Sequence, residues 1–233
     1  MGAPAGPARF YERAEVAPHG DAYAVALDGR LARSPKRAPL AGPRALADAM
    51  AAEWAGQGER LDMGSMALTR LHGRMLDADA EARAGWAETV GAYAGTDLLC
   101  YRAADAKLAA RQAMAWQPYL DRAADRLGHR FAVTEGVMAV RQDEGLLAAV
   151  RAEAAALPDH ARYAAALLTE ITGSAVLALA VLSGEEPDDA FAASRLDERY
   201  QAERWGEDAE AKAAEAALER DFAAAVRYWR LAA

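Results

Sequence analysis

The sequence contains a single cysteine, Cys100. One thiol excludes an intramolecular disulfide and a zinc site built from several cysteines. Histidine is also scarce, and no two histidines have the spacing of a metal-binding helix motif. The four histidines are His19, His72, His129 and His160. We therefore predict no bound metal and no cofactor.

Positive charge is in short supply as well. The chain has 27 Lys and Arg against 35 Asp and Glu, which gives a net charge of −8, and its isoelectric point is near 5.1. Nucleic-acid-binding proteins usually carry a basic domain or stripe. We therefore predict no nucleic-acid partner.

Long apolar runs are missing too. The longest run, residues 171–182, is too short to cross a membrane and contains small residues at positions 172 to 174. The N-terminus has neither the basic start nor the apolar core of a signal peptide. We therefore expect a cytoplasmic protein that does not insert into a membrane.

The usual sequence signatures of catalysis are also missing. The chain has no GxSxG nucleophile motif, no phosphate-binding glycine loop and no GxGxxG motif. Cys100 has no histidine near it in sequence, and an isolated cysteine is usually a small buried apolar residue. We predict no enzymatic activity and no small-molecule substrate. One alternative stays open, an enzyme whose site is assembled from distant residues near Cys100 and Asp97.

The residues that are present begin with strand patterns. Residues 10–16 are a predicted strand, and residues 23–27 alternate large apolar and small side chains, as a half-buried strand does. Asp28 and Gly29 then predict a hairpin turn, because glycine accepts a positive φ. A short third strand is expected to follow.

Helical periodicity takes over after these strands. Pro43 suits the first turn of a helix that carries Leu46, Met50 and Trp54 on one face. Further helices are predicted at residues 66–76, 80–93, 108–127, 145–157, 163–182, 188–205 and 210–231. Three short strands cannot bury a face alone, so the first of these helices is expected to cover them.

Together these elements predict an α+β fold in two parts. The first is a small N-terminal α/β domain of one sheet and one helix, residues 1–64. The second is a larger C-terminal domain, residues 65–233, built as an all-α orthogonal bundle.

The segment from Ser194 to Asp208 places charges beside aromatic residues. On one continuous helix with about 100° per residue, Asp197 falls on the polar outer face, whereas Glu203 falls between Ala192 and Leu196, in the middle of the apolar face. A charge on such a face is either paired or awaits a partner.

Two interpretations of this segment stay open. Opposite charges three or four positions apart can meet on one helix; here they are Arg195–Glu198 and Arg199–Glu203. They either form an internal network that ties the helix to the bundle or face a partner protein, with the aromatic residues as anchors. The candidate partner-binding residues are Glu203, Glu198, Trp205, Tyr200, Arg199 and Arg195.

Several short motifs occur in a specific order along the chain. They are Arg9–Tyr11, Leu27–Arg30, Ser34–Pro35, Ala51–Trp54, Met66–Leu71, Thr96–Arg102, Trp116–Pro118 and Ser194–Gly206. In this order and spacing the sequence resembles the assembly chaperones of the ATP synthase catalytic head, the F-one sector. The resemblance is to the family that holds the alpha subunit before it joins beta, and it runs from about residue 9 to the C-terminus.

The resemblance implies a chaperone that does not hydrolyse ATP and that binds the free alpha subunit where beta later docks. It implies the two-part fold described above and a bacterial, cytoplasmic member of the family. It also places a carboxylate important for binding within residues 198–205, with Glu203 first and Glu198 second. A structural adaptor for a different complex stays open as a third reading.

Overall fold

The structure is a computed structural model that describes residues 6–136, 138–206 and 208–233. It is a mixed α+β protein with a small N-terminal strand region and a larger helical part, which confirms the predicted fold class. Within these described ranges, no helix is both long enough and apolar enough to cross a membrane.

The chain forms two compact units. The first comprises the described residues up to Asp79 together with Arg227–Ala233, and the second is Ala80–Val226. Residues 1–5 of the predicted first domain lie outside the described residues. The predicted boundary between an N-terminal α/β domain and a C-terminal helical domain, at residues 64 and 65, stays a prediction.

The first unit contains an antiparallel sheet of four strands, β1 (Ala14–His19), β2 (Ala22–Leu27), β3 (Arg30–Leu31) and β4 (Ala41–Gly42). Their order is β1-β2-β3, with β4 also paired to β2. Asp28 and Gly29 join β2 to β3 with positive φ values of 48° and 77°, as the predicted hairpin turn requires. The first strand begins four residues later than the predicted start at Phe10.

Two helices complete the N-terminal part of this unit, α1 (Arg44–Ala55) and α2 (Ala67–Asp77). The predicted face of α1 is buried, and α1 contacts β1 and β2. Glu53 of α1 accepts hydrogen bonds from the backbone N–H groups of Leu68 and Thr69 at 2.7 and 2.8 Å. This carboxylate therefore satisfies free donors at the start of α2, as a capping residue does.

The second unit is mainly helical. Its central helix, α7, is buried along nearly its whole length and contacts α3, α4, α6 and α8. Among the described elements of this unit, only one short parallel pair is not helical, β5 (Tyr101–Arg102) with β6 (Thr134–Glu135). The helices are α3 (Ala80–Ala94), α4 (Ala106–Leu127), α5 (Glu144–Ala156), α6 (Asp159–Thr172), α7 (Ala175–Leu182), α8 (Pro187–Ser194), α9 (Leu196–Trp205) and α10 (Ala209–Ala232), the last belonging to this unit up to Val226.

The helix predicted at residues 163–182 is two helices in the structure. Gly173 ends α6 in the left-handed conformation, with φ of 69°. Ser174 then begins α7, and its Oγ accepts a hydrogen bond from Leu177 N at 3.1 Å. A glycine stop followed by a serine cap separates the helices although the apolar pattern continues across the break.

Candidate functional site

The candidate site is built on α9, which is not a continuation of α8. The predicted single helix over residues 188–205 was wrong, because Arg195 leaves the helical conformation with φ of −105° and ψ of 12°. The carbonyl of Ala193, which a continuous helix would use internally, accepts a hydrogen bond from Trp116 Nε1 at 2.8 Å. The chain therefore restarts as a separate helix at Leu196.

This break changes which side chains face the solvent. The predicted position of Glu203 in the apolar core was wrong, since its side chain is 58% exposed. Asp197, predicted on the polar outer face, is partly buried and faces α4. Both errors have the same cause, because the helical wheel assumed one phase from α8 through α9.

A buried amide fixes the start of α9 against α4. Gln112 is fully buried, and its Nε2 donates to Asp197 Oδ1 at 2.7 Å. Its Oε1 accepts from the backbone N–H of Ala103, also at 2.7 Å. Because both ends of the amide are used inside the protein, the orientation of Gln112 and the position of Asp197 depend on each other.

Asp105 fixes the second half of α9. Its carboxylate caps α4 by accepting from the backbone N–H groups of Lys107 and Leu108 at 2.9 and 3.1 Å. It also accepts from Tyr200 Oη at 3.1 Å and from Arg204 at 3.0 Å. The bond from Leu108, with smaller contributions from the other donors, lowers the pKa of Asp105 below its ordinary value. Asp105 is therefore a carboxylate at neutral pH, and it joins the start of α4 to α9.

Ion pairs surround the exposed part of α9. The predicted pair Arg195–Glu198 is present, whereas Arg199 and Glu203 bind separate partners on other helices. The pairs are Arg195–Glu198 at 3.1 Å, Arg199–Glu215 at 2.9 Å and Arg111–Glu203 at 2.7 Å. All three include a carboxylate or guanidinium that is substantially exposed, so they orient side chains and contribute little to folding stability.

Trp205 is a large apolar side chain on the surface, and 75% of it is exposed. Its Nε1 donates to Gln201 Oε1 at 3.0 Å, and the guanidinium of Arg204 lies 5.4 Å from its ring centroid. The indole is therefore held in one orientation, with Arg204 over one face of the ring and most of its surface still accessible.

Several grooves adjoin α9 in the described part of the chain. The Arg199 groove has a volume of about 490 Å³ and is lined by Arg199, Ala202, Glu203, Lys212, Glu215, Ala216 and Glu219. The α4–α9 groove has a volume of about 560 Å³ and is lined by Asp105, Ala106, Lys107, Arg111, Tyr200, Glu203 and Arg204. The α9–α10 groove has a volume of about 470 Å³ and is lined by Arg195, Glu198, Gln201, Ala202, Trp205, Gly206, Asp208, Ala211, Lys212, Ala214, Glu215 and Leu218. Every predicted partner-binding residue lines at least one of these grooves.

Cys100 and Asp97, the basis of the enzyme alternative, lie together in the core. Burial raises the pKa of Cys100 to about 12, and the nearby charge of Asp97 adds to the increase, so the sulfur stays a thiol. Asp97 accepts hydrogen bonds from Ser174 Oγ at 2.7 Å and from Val176 N at 3.1 Å, which cap α7. The contacts of both residues are those of buried residues that support the fold. In the described part of the chain, no group of three His, Cys, Asp or Glu residues could hold a metal ion.

Sequence reasoning missed the contribution of α4 to this site. Asp105, Arg111 and Gln112 lie 85 to 99 positions from their partners on α9. One signal was available, because a glutamine at position 112 interrupts the apolar row of Leu108 and Trp116. A polar residue on a buried helical face requires a hydrogen-bond partner.

Comparison with known proteins gives a consistent result. The model of the ATP12 chaperone protein family matches residues 8–124. Two structures of Atp12 from Paracoccus denitrificans, one of them a mutant, are each 38% identical to this chain with a TM-score of 0.91; both cover 97% of it, and the chain covers 98% and 99% of theirs. A protein from Agrobacterium tumefaciens is also 38% identical, with a TM-score of 0.89, over 96% of this chain and 85% of the other.

Proposed function

The chain belongs to the ATP12 chaperone protein family, and we propose that it holds the free alpha subunit of the ATP synthase catalytic head until assembly. Membership in this family supports a role in ATP synthase assembly. The observation that carries the proposal is similarity to Atp12 over 97% of the chain at a TM-score of 0.91. The bound surface on the alpha subunit would be the one on which beta later docks.

The exposed side of α9 is the proposed contact surface. Trp205, Glu198 and Glu203 offer an apolar anchor and two accessible carboxylates, which is the composition of a protein interface with a polar rim. Tyr200 is buried and Arg195 is mostly buried, so these two act by fixing α9. The proposed contact residues are therefore Glu203, Glu198, Trp205 and Arg199, and Tyr200 and Arg195 hold the helix that carries them.

The proposed chaperone works by binding alone. Shielding an interface requires accessible anchors and reversible contacts, and it needs no ATP hydrolysis, cofactor or metal. Release follows when beta competes for the same surface, since two ligands of one surface exclude each other. We propose a bacterial cytoplasmic location, which is consistent with the bacterial sources of the related structures.

Capture of purified alpha subunit tests the proposal. The tagged full-length protein is incubated with alpha subunit that lacks beta, without ATP, and the complex is isolated by size-exclusion chromatography. We expect a complex that dissociates when beta is added in excess. Failure of the wild-type protein to bind alpha subunit, measured with alpha subunit that still assembles with beta, would overturn the proposal.

Replacement of Glu203 by Lys tests the contact surface. Its ion pair with Arg111 is exposed, so the free energy of unfolding should change by no more than about 1 kcal/mol. Binding of alpha subunit should weaken by about tenfold or more if Glu203 faces it. Glu170→Lys, the same charge change on the exposed side of α6, is the matched control and should bind normally. Equal binding by both variants would remove Glu203 from the proposed surface.

A further inference from the structure

The α9–α10 groove differs from the α4–α9 groove in its floor. Small apolar side chains line it, namely Ala202, Ala211 and Ala214, and Leu218 extends the same surface along α10. Trp205 stands at its edge with most of its surface exposed. Alanine side chains permit a close approach of another helix, because they add little bulk between the backbones.

The anchor of this groove is already positioned. The hydrogen bond from Trp205 to Gln201 and the contact with Arg204 hold the indole before any partner binds. A side chain that is already ordered loses less conformational entropy on binding, so a fixed tryptophan is an efficient anchor. A tryptophan that only stabilised the fold would be buried, as Trp116 is, whereas Trp205 is exposed.

The charge around the groove favours a basic partner. Residues 196–221 contain nine acidic and four basic residues, a net charge of −5 within a chain whose total is −8. The lining of the groove carries three carboxylates, Glu198, Asp208 and Glu215, against two cations, Arg195 and Lys212, so the groove itself has a net charge of −1 and the surrounding residues add the rest. Glu198 is paired with Arg195, and Glu215 is paired with Arg199. A negative rim attracts basic segments and repels acidic ones, including a second copy of this acidic chain.

We propose that the α9–α10 groove binds an amphipathic basic helix of the partner, with apolar side chains against the alanines and Trp205 and with Lys or Arg beside the carboxylates. The walls of the groove are the helices α9 and α10. Neither has a free strand edge with which an extended peptide could pair, so the element that fits the groove is another helix. The inference rests on the proposed function only in assigning this helix to the alpha subunit. The groove chemistry stands apart from that assignment.

Two synthetic peptides test the groove directly. One is a fluorescein-labelled amphipathic helix of about 18 residues built from Leu and Lys, and the other has the same pattern with Glu in place of Lys. Binding to the full-length protein is followed by fluorescence anisotropy. We expect the basic peptide to bind at least about tenfold more tightly than the acidic one, and more weakly in high salt.

A matched pair of variants separates groove binding from nonspecific charge attraction. Ala214→Gln fills part of the groove and keeps every charge, whereas Ala213→Gln changes a neighbouring exposed residue that does not line it. We expect Ala214→Gln to weaken binding of the basic peptide by about tenfold and Ala213→Gln to leave it unchanged. Equal binding by the two variants, or equal binding of the two peptides, would overturn the inference.

Binding of alpha subunit by the same variants distinguishes failure of the proposed function from failure of the groove inference. If wild-type protein binds alpha subunit and Ala214→Gln binds it equally well, the assignment of the groove to the alpha subunit is overturned and the proposed function stands. If wild-type protein ignores alpha subunit but shows the expected peptide selectivity, the proposed function fails and the groove inference stands.

Discussion

Asp97 shows how a single buried carboxylate can make folding depend on pH. Burial raises its pKa to about 6, above the ordinary 3.8, although Val176, Ser174 and Leu99 donate hydrogen bonds that oppose the shift. The native protein therefore takes up a proton at a higher pH than the unfolded chain. The contribution of Asp97 to stability, about 3 kcal/mol, is present below pH 3.8 and is lost as the pH rises through about 6.

A direct titration of Asp97 measures this effect. We expect the carboxyl carbon of Asp97, followed by ¹³C NMR in the folded protein, to titrate with a midpoint near 6. A direct reading is preferable to the pH dependence of unfolding, because burial lowers the pKa of His160 and contributes with the opposite sign. A midpoint at or below 3.8 would show that the capping hydrogen bonds outweigh burial.

Trp205 is a residue whose loss should affect binding and spare the fold. Its side chain is 75% exposed, so Trp205→Ala should change the free energy of unfolding by no more than about 0.5 kcal/mol. Binding of alpha subunit should weaken by about tenfold or more, since aromatic anchors carry much of the energy of an interface. Phe10→Ala, which removes a 70% exposed aromatic in the other unit, is the control and should bind normally.

At the scale of the element, the position of α9 depends on Asp197. Asp197→Ala removes the acceptor of a fully buried amide, and the unsatisfied Gln112 should cost about 1–3 kcal/mol in the free energy of unfolding. Asp197→Asn keeps a carbonyl oxygen in the same place and should restore much of the loss. Urea denaturation measures both. Equal loss in the two variants would mean that the charge of Asp197, and not its hydrogen bond, supports α9.

Periodicity was sufficient to predict most elements, because each buries one regular face. The hairpin at Asp28 and the row of Leu46, Met50 and Trp54 follow from local residue preferences, and both are present in the structure. The end of α6 also had a local signal in Gly173 followed by Ser174.

The break at Arg195 had no such signal. No glycine or proline stands there, and the carbonyl of Ala193 is taken by Trp116, which lies 77 positions earlier in the chain. A break caused by a distant side chain is invisible to helical periodicity. For that reason neither the exposure of Glu203 nor its partner Arg111 could be predicted from the sequence.

At the scale of the whole molecule, the two ends of the chain share one unit. Arg227–Ala233 belongs with the residues up to Asp79. Tyr228 is fully buried there, with its ring 6.0 Å from that of His72 and its hydroxyl 3.4 Å from His72 Nδ1. His72 Nε2 lies 2.9 Å from the carbonyl of Ala41, so the C-terminal tyrosine is connected through the histidine to β4. A fragment ending at residue 64 would lack all of these groups except Ala41.

Tyr228→Ala tests whether the N-terminal unit depends on the end of the chain. Loss of a fully buried aromatic side chain should cost about 3–5 kcal/mol, because the cavity cannot collapse completely. Hydrogen–deuterium exchange should show lower protection within residues 6–79, and Arg230→Ala, an exposed neighbour, should leave protection unchanged. Should Tyr228→Ala lower protection only within residues 80–226, the N-terminal unit would be stable without its C-terminal segment, and the shorter predicted domain would gain support.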